Sequence, residues 1–138
     1  MENREAAIRF VASTAHGLNP PEGAHVEVKC FDGSANPYLL VGSLIAAGLA
    51  GLDQGLRLPE PIGDDPAGHP EADLRQRRIE RLPQSLDAAV DCFAKSAILR
   101  EAMGSGLFST FEAVRRGEAE LFAGTGEAEI IAAHRWRY

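Results

Sequence analysis

Residues 24–40 read AHVEVKCFDGSANPYLL and combine a strand pattern with the start of a helix. From residue 24 to residue 31 apolar and polar side chains alternate, which predicts a strand with one apolar and one polar face. The polar face carries three residues: His25, Glu27 and Lys29. An Asp-Gly-Ser turn ends the strand, and Pro37 suits the first turn of a helix, where its missing N–H costs nothing. A helix is therefore predicted over residues 37–52.

The segments on either side complete the predicted fold. Polar and apolar residues also alternate over residues 5–13, and a Gly- and Pro-rich turn separates this segment from the strand at 24–31. The two segments are therefore predicted to form an antiparallel pair, with strands at 5–13 and 24–31. Apolar residues at helical spacing, with Ser85 as an N-cap and Gly104 as a break, predict further helices at 86–96, 97–103, 107–122 and 127–133. Residues 54–83 hold five prolines, which favours a long mobile loop. The prediction is an α+β fold in which an antiparallel β pair precedes four or five helices, in a single domain over residues 1–138.

Composition excludes several classes of protein. The chain of 138 residues has a formal net charge of −6, which argues against broad nucleic-acid binding because that needs a basic surface. The longest apolar run, residues 38–52, is shorter than the ~20 residues of a membrane span, and the charged N-terminus does not read as a signal peptide. Cys30 and Cys92 are far apart and are interpreted as reduced, buried thiols. A cytoplasmic protein with no membrane or nucleic-acid partner is expected.

The polar strand face is the candidate for chemistry. Arg9 lies on the neighbouring strand and is expected to share the face with Glu27, so that a carboxylate suited to a hard metal ion stands beside cations suited to phosphate or carboxylate groups. The alternative is a solvated strand with a cross-strand Arg–Glu pair of little energetic value. His69 lies in a Gly- and Pro-rich loop and is interpreted as solvated. The sequence contains no phosphate-binding glycine loop, zinc spacing or nucleophile motif, so it lacks a self-contained catalytic motif.

Several motifs follow one another in a family-specific order. Residues 3–9 fit the pattern N-R-x-x-x-x-R, and residues 25–39 are similar to R-x-E-x-R … D … A-N-P-Y-L. Later agreements are AAGL at 46–49, LPEP at 58–61, LPQSL at 82–86, and the ending in Trp136 and Tyr138. In this order they resemble the glutamine synthetase family, in the C-terminal part of its catalytic domain. The resemblance spans essentially the whole chain.

The resemblance implies an ATP-dependent ligase of nitrogen metabolism that joins glutamate to ammonia or an amine. In that chemistry ATP phosphorylates a side-chain carboxylate, and the amine then attacks the acyl phosphate. The resemblance implies Mg²⁺ or Mn²⁺ and ATP as cofactors, and it assigns a role to five residues. Arg4, Arg9 and His25 are expected to contact nucleotide phosphates, Arg4 and Lys29 the substrate carboxylate, and Glu27 the metal ion. His25 and Lys29 stand where the family has arginines, which suggests a divergent, γ-glutamyl-amine ligase-like member.

The same resemblance also limits the expected activity. The family's upstream metal-binding glutamates and its N-terminal domain have no counterpart in these residues, and one carboxylate does not build a two-metal site. The chain alone is therefore expected to be inactive, and its open strand edges and apolar faces predict self-association or a missing N-terminal partner chain. Two alternatives stay open: a stand-alone, non-catalytic interaction or regulatory module with this fold, and simple nucleotide binding.

Overall fold

A computed structural model describes residues 6–11 and 24–136. The bounds of the elements, in chain order, are β1 Ile8–Val11, β2 His25–Val28, α1 Pro37–Asp53, a 3-10 turn at Pro66–Gly68, α2 Glu71–Gln76, α3 Leu86–Ala94, α4 Ala97–Leu121 and α5 Glu127–His134. Within the described residues an antiparallel pair thus precedes five helices, and the predicted α+β fold class is confirmed. None of these helices is long and apolar enough to cross a membrane.

The chain divides into two compact units, and the single domain over residues 1–138 stays a prediction. The first comprises Met1–Gly33 and Arg57–Arg81, within which lie the strands, the 3-10 turn and α2. The second comprises Ser34–Leu56 and Leu82–Tyr138, within which lie the other four helices. Each unit is described by itself below.

In the first unit β1 and β2 form a two-stranded antiparallel sheet. Their register pairs Ile8 with Val28 and Arg9 with Glu27, and the amide of Lys29 donates to the carbonyl of Ala7 at 2.8 Å. Regular strand structure in β2 ends at Val28, three residues before the predicted end at residue 31. The segment after Arg57 includes the 3-10 turn, which Asp65 caps by accepting a hydrogen bond from the amide of Ala67.

The second unit begins with α1, whose start is fixed locally. The side chain of Asn36 accepts hydrogen bonds from the amides of Tyr38 and Leu39, and Pro37 occupies the first helical position. The helix ends at Asp53, and Gly55 follows with a φ of +61°, a conformation that glycine adopts at little cost. These caps explain why the ANPYL segment begins a helix at this position.

The core of the second unit lies between α3 and α4. Phe108 is 0% exposed and Val90 3% exposed, and they are the core side chains that are fully enclosed among the described residues. The ring of Phe93 stacks on that of Phe108 at a centroid distance of 4.3 Å and contacts Phe111 at 5.0 Å. A core this small leaves many large apolar side chains exposed on the other faces of the helices.

Serine caps and one glycine set the boundaries of α3 and α4. Ser85 and Ser96 each accept a hydrogen bond from an amide in the first turn of the following helix, and Ser85 is the N-cap that the sequence predicts. Helix α4 runs from Ala97 to Leu121, but Gly104 inside it has φ 73° and ψ 156°, which is not helical. The backbone therefore kinks where the sequence predicts a break between two helices.

Two predictions about side-chain burial are wrong. Cys30 and Cys92 are free thiols as expected, but both are exposed rather than buried. On α3 the side facing α4 is occupied by Val90 and Phe93, which leaves Cys92 on the solvent side. His69 is half-buried rather than solvated, because its ring contacts a carboxylate in the same loop.

Candidate functional site

The polar face of the β pair brings three predicted site residues together. Arg9 and Glu27 are cross-strand partners, and the Nη2 of Arg9 donates to Oε1 of Glu27 at 3.0 Å. The Nε2 of His25 lies 3.7 Å from the same oxygen. The exposed fraction of the side chain is 14% for Arg9, 35% for Glu27 and 56% for His25. Solvent exposure within the cluster therefore increases from the nearly buried guanidinium of Arg9 to the exposed imidazole of His25.

The other two predicted site residues are placed differently. Lys29 follows β2 directly and is exposed, two residues beyond Glu27, and its backbone still bonds to β1 through Ala7. Its role toward a substrate carboxylate stays a prediction. Arg4 lies outside the described residues, so its predicted phosphate and carboxylate contacts stay predictions as well.

The Glu27 carboxylate has a defined electrostatic setting. Both of its contacts with described residues use Oε1, and Oε2 accepts no hydrogen bond from that part of the chain. Because the guanidinium contacts one carboxylate oxygen, the second oxygen keeps its capacity to accept. This is the arrangement of a carboxylate that can supply one oxygen to a hard cation.

The same surroundings do not form a complete metal centre. Within residues 6–11 and 24–136 there is no group of three His, Cys, Asp or Glu side chains close enough to hold one ion. Mg²⁺ is usually held by one or two carboxylates together with phosphate oxygens and water. The donor set therefore fits a single ligand contributed to a metal shared with a nucleotide. The expected cross-strand Arg–Glu pair is also present, so both interpretations of this face agree with its geometry.

A second ionic pair, which the sequence did not reveal, lies in the loop of the first unit. The ring Nε2 of His69 is 2.9 Å from Oδ1 of Asp64. This hydrogen bond, with a smaller contribution from the charge of Arg77, lowers the pKa of Asp64 below its ordinary value of 3.8. Loop residues of this kind carry no periodic signal, so only the folded backbone brings them together.

The third ionic cluster ties α3 to α4. Arg116 donates to Oδ1 of Asp91 at 3.0 Å and to Oε1 of Glu112 at 3.0 Å. These two hydrogen bonds raise the pKa of Arg116 above its ordinary value, and the bond to Asp91 has the larger effect. The Glu112–Arg116 spacing of four residues is visible in the sequence, whereas the partner on α3 is not. The cluster is a helix–helix contact and is not part of the polar strand face.

Comparison with known proteins agrees with the motif order and with the fold. Residues 1–132 match the family model described as glutamine synthetase, catalytic domain. The chain belongs to the glutamine synthetase family. Its antiparallel pair followed by helices is the arrangement expected for the C-terminal part of that catalytic domain.

Individual members of the glutamine synthetase family are similar over most of the chain. A gamma-glutamylpolyamine synthetase, GlnA3, of Streptomyces coelicolor is 44% identical over 137 residues, which are 99% of this chain and 29% of that protein. A glutamine synthetase of Methanococcus maripaludis is 30% identical over 120 residues, 87% of this chain and 26% of the relative. A glutamine synthetase of Mycobacterium tuberculosis is 33% identical over 116 residues, which are 84% of this chain and 25% of that protein. The chain thus spans between a quarter and three tenths of the length of these relatives.

Proposed function

We propose that this chain contributes the phosphate, metal and carboxylate end of the active site of an ATP-dependent ligase that joins glutamate to an amine. The observation that carries the proposal is the Glu27 carboxylate, which accepts a hydrogen bond at Oε1 from Arg9 on the paired strand. The family membership supplies the reaction class. The rest of the site is assigned to residues outside this sequence, since the chain covers less than a third of its relatives.

Each side chain of the polar face has a separate task in this proposal. Glu27 would hold Mg²⁺ or Mn²⁺ through a carboxylate oxygen; ATP would supply the phosphoryl group, and the ion would neutralise the charge on it. Arg9 holds Glu27 through one amino group of its guanidinium, which is also the group proposed to contact phosphate oxygens. His25, the most exposed of the three, makes a further phosphate contact when protonated.

The substrate end of the site is assigned to Lys29 and Arg4. Lys29 presents a compact charge on a flexible stem, so it holds a substrate carboxylate without the forked geometry of an arginine. Arg4 contacts both that carboxylate and the phosphates. The 44% identity to a gamma-glutamylpolyamine synthetase supports an amine, in preference to ammonia, as the second substrate.

We further propose that the 138-residue chain is inactive by itself. The described residues supply one carboxylate at the polar face and no group of three metal-binding side chains, which is too little for a two-metal phosphoryl-transfer site. The same proposal includes a cytoplasmic location. It also includes association of this chain either with a second copy or with a chain that carries the N-terminal part of the family fold.

Phosphate release tests the inactivity. The purified chain is incubated with ATP, Mg²⁺ and glutamate, with and without ammonia or a diamine, and its Glu27→Gln variant serves as the matched control. Release at the level of the buffer blank, equal for both proteins, is expected. Amine-dependent release that Glu27→Gln abolishes would contradict the proposed inactivity and would show that the chain carries a working site.

The second candidate function is a non-catalytic module of the same fold. It is favoured by the cross-strand ion pair itself, because Arg9 already balances the charge of Glu27 without any ligand. Calorimetric titration with Mg·ATP separates the two functions. Heat that disappears in Glu27→Gln supports a retained nucleotide site, and a folded chain that gives no heat supports the module.

A further inference from the structure

The turn between β2 and α1 contains an aspartate that is followed by a glycine. Asp32-Gly33 is the single Asp-Gly pair in the 138 residues, and the sequence contains no Asn-Gly pair. Gly33 and Ser34 form the centre of the turn, and residues 29–34 are all exposed. The Asp-Gly pair is therefore presented to water between the two elements, outside regular secondary structure.

The backbone at Gly33 is held by few contacts. Its amide donates a hydrogen bond to no backbone carbonyl of residues 6–11 and 24–136. A Cβ atom built on Gly33 would meet nothing within 4 Å, so the space around the residue is open. The boundary between the two compact units also falls directly after Gly33, and such boundaries lie in exposed, flexible segments. Rotation of the main chain can therefore bring the Gly33 nitrogen against the side chain of Asp32.

We propose that Asp32 is a site of spontaneous isomerisation to isoaspartate. In the first step the amide nitrogen of Gly33 attacks Cγ of the protonated Asp32 carboxyl. The new N–Cγ bond closes a five-membered imide, and the carboxyl hydroxyl leaves as water with the amide proton. Glycine obstructs this closure least, because it has no Cβ atom and the widest choice of φ and ψ.

The second step consumes one water molecule and reopens the imide. Addition at Cγ breaks the new bond and restores aspartate. Addition at the former main-chain carbonyl of Asp32 breaks its bond to the Gly33 nitrogen, so that the main chain then runs through Cγ and the freed carboxylate stands on Cα. Water is the sole co-reactant, and the modification does not depend on the proposed ligase function.

The isomer is compatible with the elements on either side of the turn. Isomerisation at Asp32 adds one atom to the main chain between Lys29, whose amide bonds to the carbonyl of Ala7, and Asn36, which caps α1. Because these hydrogen bonds fix both ends, the exposed turn takes up the added length. The charge of the chain is unchanged, so the strand pair and α1 are expected to persist and the isomer to accumulate in the folded chain.

Peptide mapping by mass spectrometry after a long incubation tests the modification. The chain is kept at mildly acidic pH, where a fraction of aspartate carboxyls is protonated, and is then brought to neutral pH so that the imide reopens. Trypsin cleavage after Lys29 and Arg57 gives a peptide of residues 30–57 that contains both Asp32 and Asp53, and fragmentation by electron transfer locates isoaspartate within it. Isoaspartate should accumulate at Asp32 and not at Asp53, which is the last residue of α1 and precedes Gln54.

Two variants and one reference state separate the turn from other causes. Gly33→Ala adds a Cβ atom in open space at a φ that is not positive, so this variant should fold like the parent by circular dichroism and isomerise at least ~5-fold more slowly. Gly33→Pro lacks the attacking N–H and should not isomerise. The parent chain unfolded in guanidinium chloride gives the rate without the fold, and the native chain should isomerise within ~10-fold of that rate because an exposed turn gives little protection.

Three outcomes would overturn the proposal: no isoaspartate at Asp32 in the parent chain, equal rates in the parent and Gly33→Pro, or a native rate more than ~10-fold below that of the unfolded chain. The first and third would show that the folded turn protects Asp32, and the second would show that the Gly33 nitrogen is not the attacking group. Phosphate release is scored separately, since it tests the proposed inactivity and not the modification.

Discussion

Replacement of Phe108 by alanine should remove most of the packing between α3 and α4. Phe108 is fully buried, its ring stacks on Phe93 at 4.3 Å, and the guanidinium of Arg100 lies 4.1 Å from the centre of the ring. Truncation of a buried phenylalanine costs about 3–5 kcal/mol, and the loss of the ring stack and the cation–π contact places this site near the middle of that range, at about 4 kcal/mol. Such a loss is a large share of the stability of a small protein.

Urea unfolding followed by circular dichroism at 222 nm measures the effect. All variants are compared at one low protein concentration, so that any association contributes equally to the free energy of unfolding. Leu121→Ala, on the same helix but 63% exposed, is the control and should cost less than about 1 kcal/mol. Phe108→Leu keeps most of the volume and should remain measurable if Phe108→Ala is largely unfolded. A Phe108→Ala loss below about 1 kcal/mol, or equal to that of the control, would refute this account of the core.

Two further perturbations test single features of the backbone and the loop. Gly104 adopts a positive φ with open space around it, so Gly104→Ala should destabilise the chain by about 1–3 kcal/mol through backbone strain. Gly106→Ala, in the helix, should instead stabilise it by about 0.5–1 kcal/mol. Urea unfolding measures both changes, and two changes of the same sign would contradict the kink at Gly104. The hydrogen bond to His69 lowers the folded-state pKa of Asp64, so the pair contributes stability above pH 3.8 that is lost as the pH falls through the lowered pKa. An NMR titration of the Asp64 carboxyl should therefore have its midpoint below 3.8. In His69→Gln that midpoint should move upward. An unchanged midpoint in that variant would exclude His69 as the cause.

The features that the sequence predicted are those that depend on neighbouring residues. Alternation placed His25 and Glu27 on one face, and Asn36 with Pro37 marked the start of α1, because a strand period and a helix cap are both set within a few residues. Gly104 marked a break because glycine, which lacks a Cβ atom, adopts a positive φ that other residues avoid. These signals are read without knowledge of the rest of the fold.

The features that the sequence did not predict depend on residues that are distant along the chain. Asp91 and Arg116 are 25 positions apart, and only the packing of α3 on α4 brings them to 3.0 Å. The exposure of Cys92 depends on which side of α3 meets α4, and a small apolar residue is ambiguous in that respect. For Glu27, alternation indicated the face and a cross-strand pair with Arg9 was one expected interpretation, but the sequence alone does not fix the register that brings the two side chains to 3.0 Å.

The most direct test of the proposed site is an exchange of segments with a relative. In the gamma-glutamylpolyamine synthetase of Streptomyces coelicolor, the segment that matches this chain is replaced by the 137 matching residues of this chain, and amine-dependent phosphate release is measured. The chimera should be active, and Glu27→Gln within it should lower kcat by at least ~100-fold, since the metal then loses a ligand or its orientation. A folded chimera with no activity, or one whose activity is unchanged by Glu27→Gln, would contradict the assignment of Glu27 and the polar strand face to the active site.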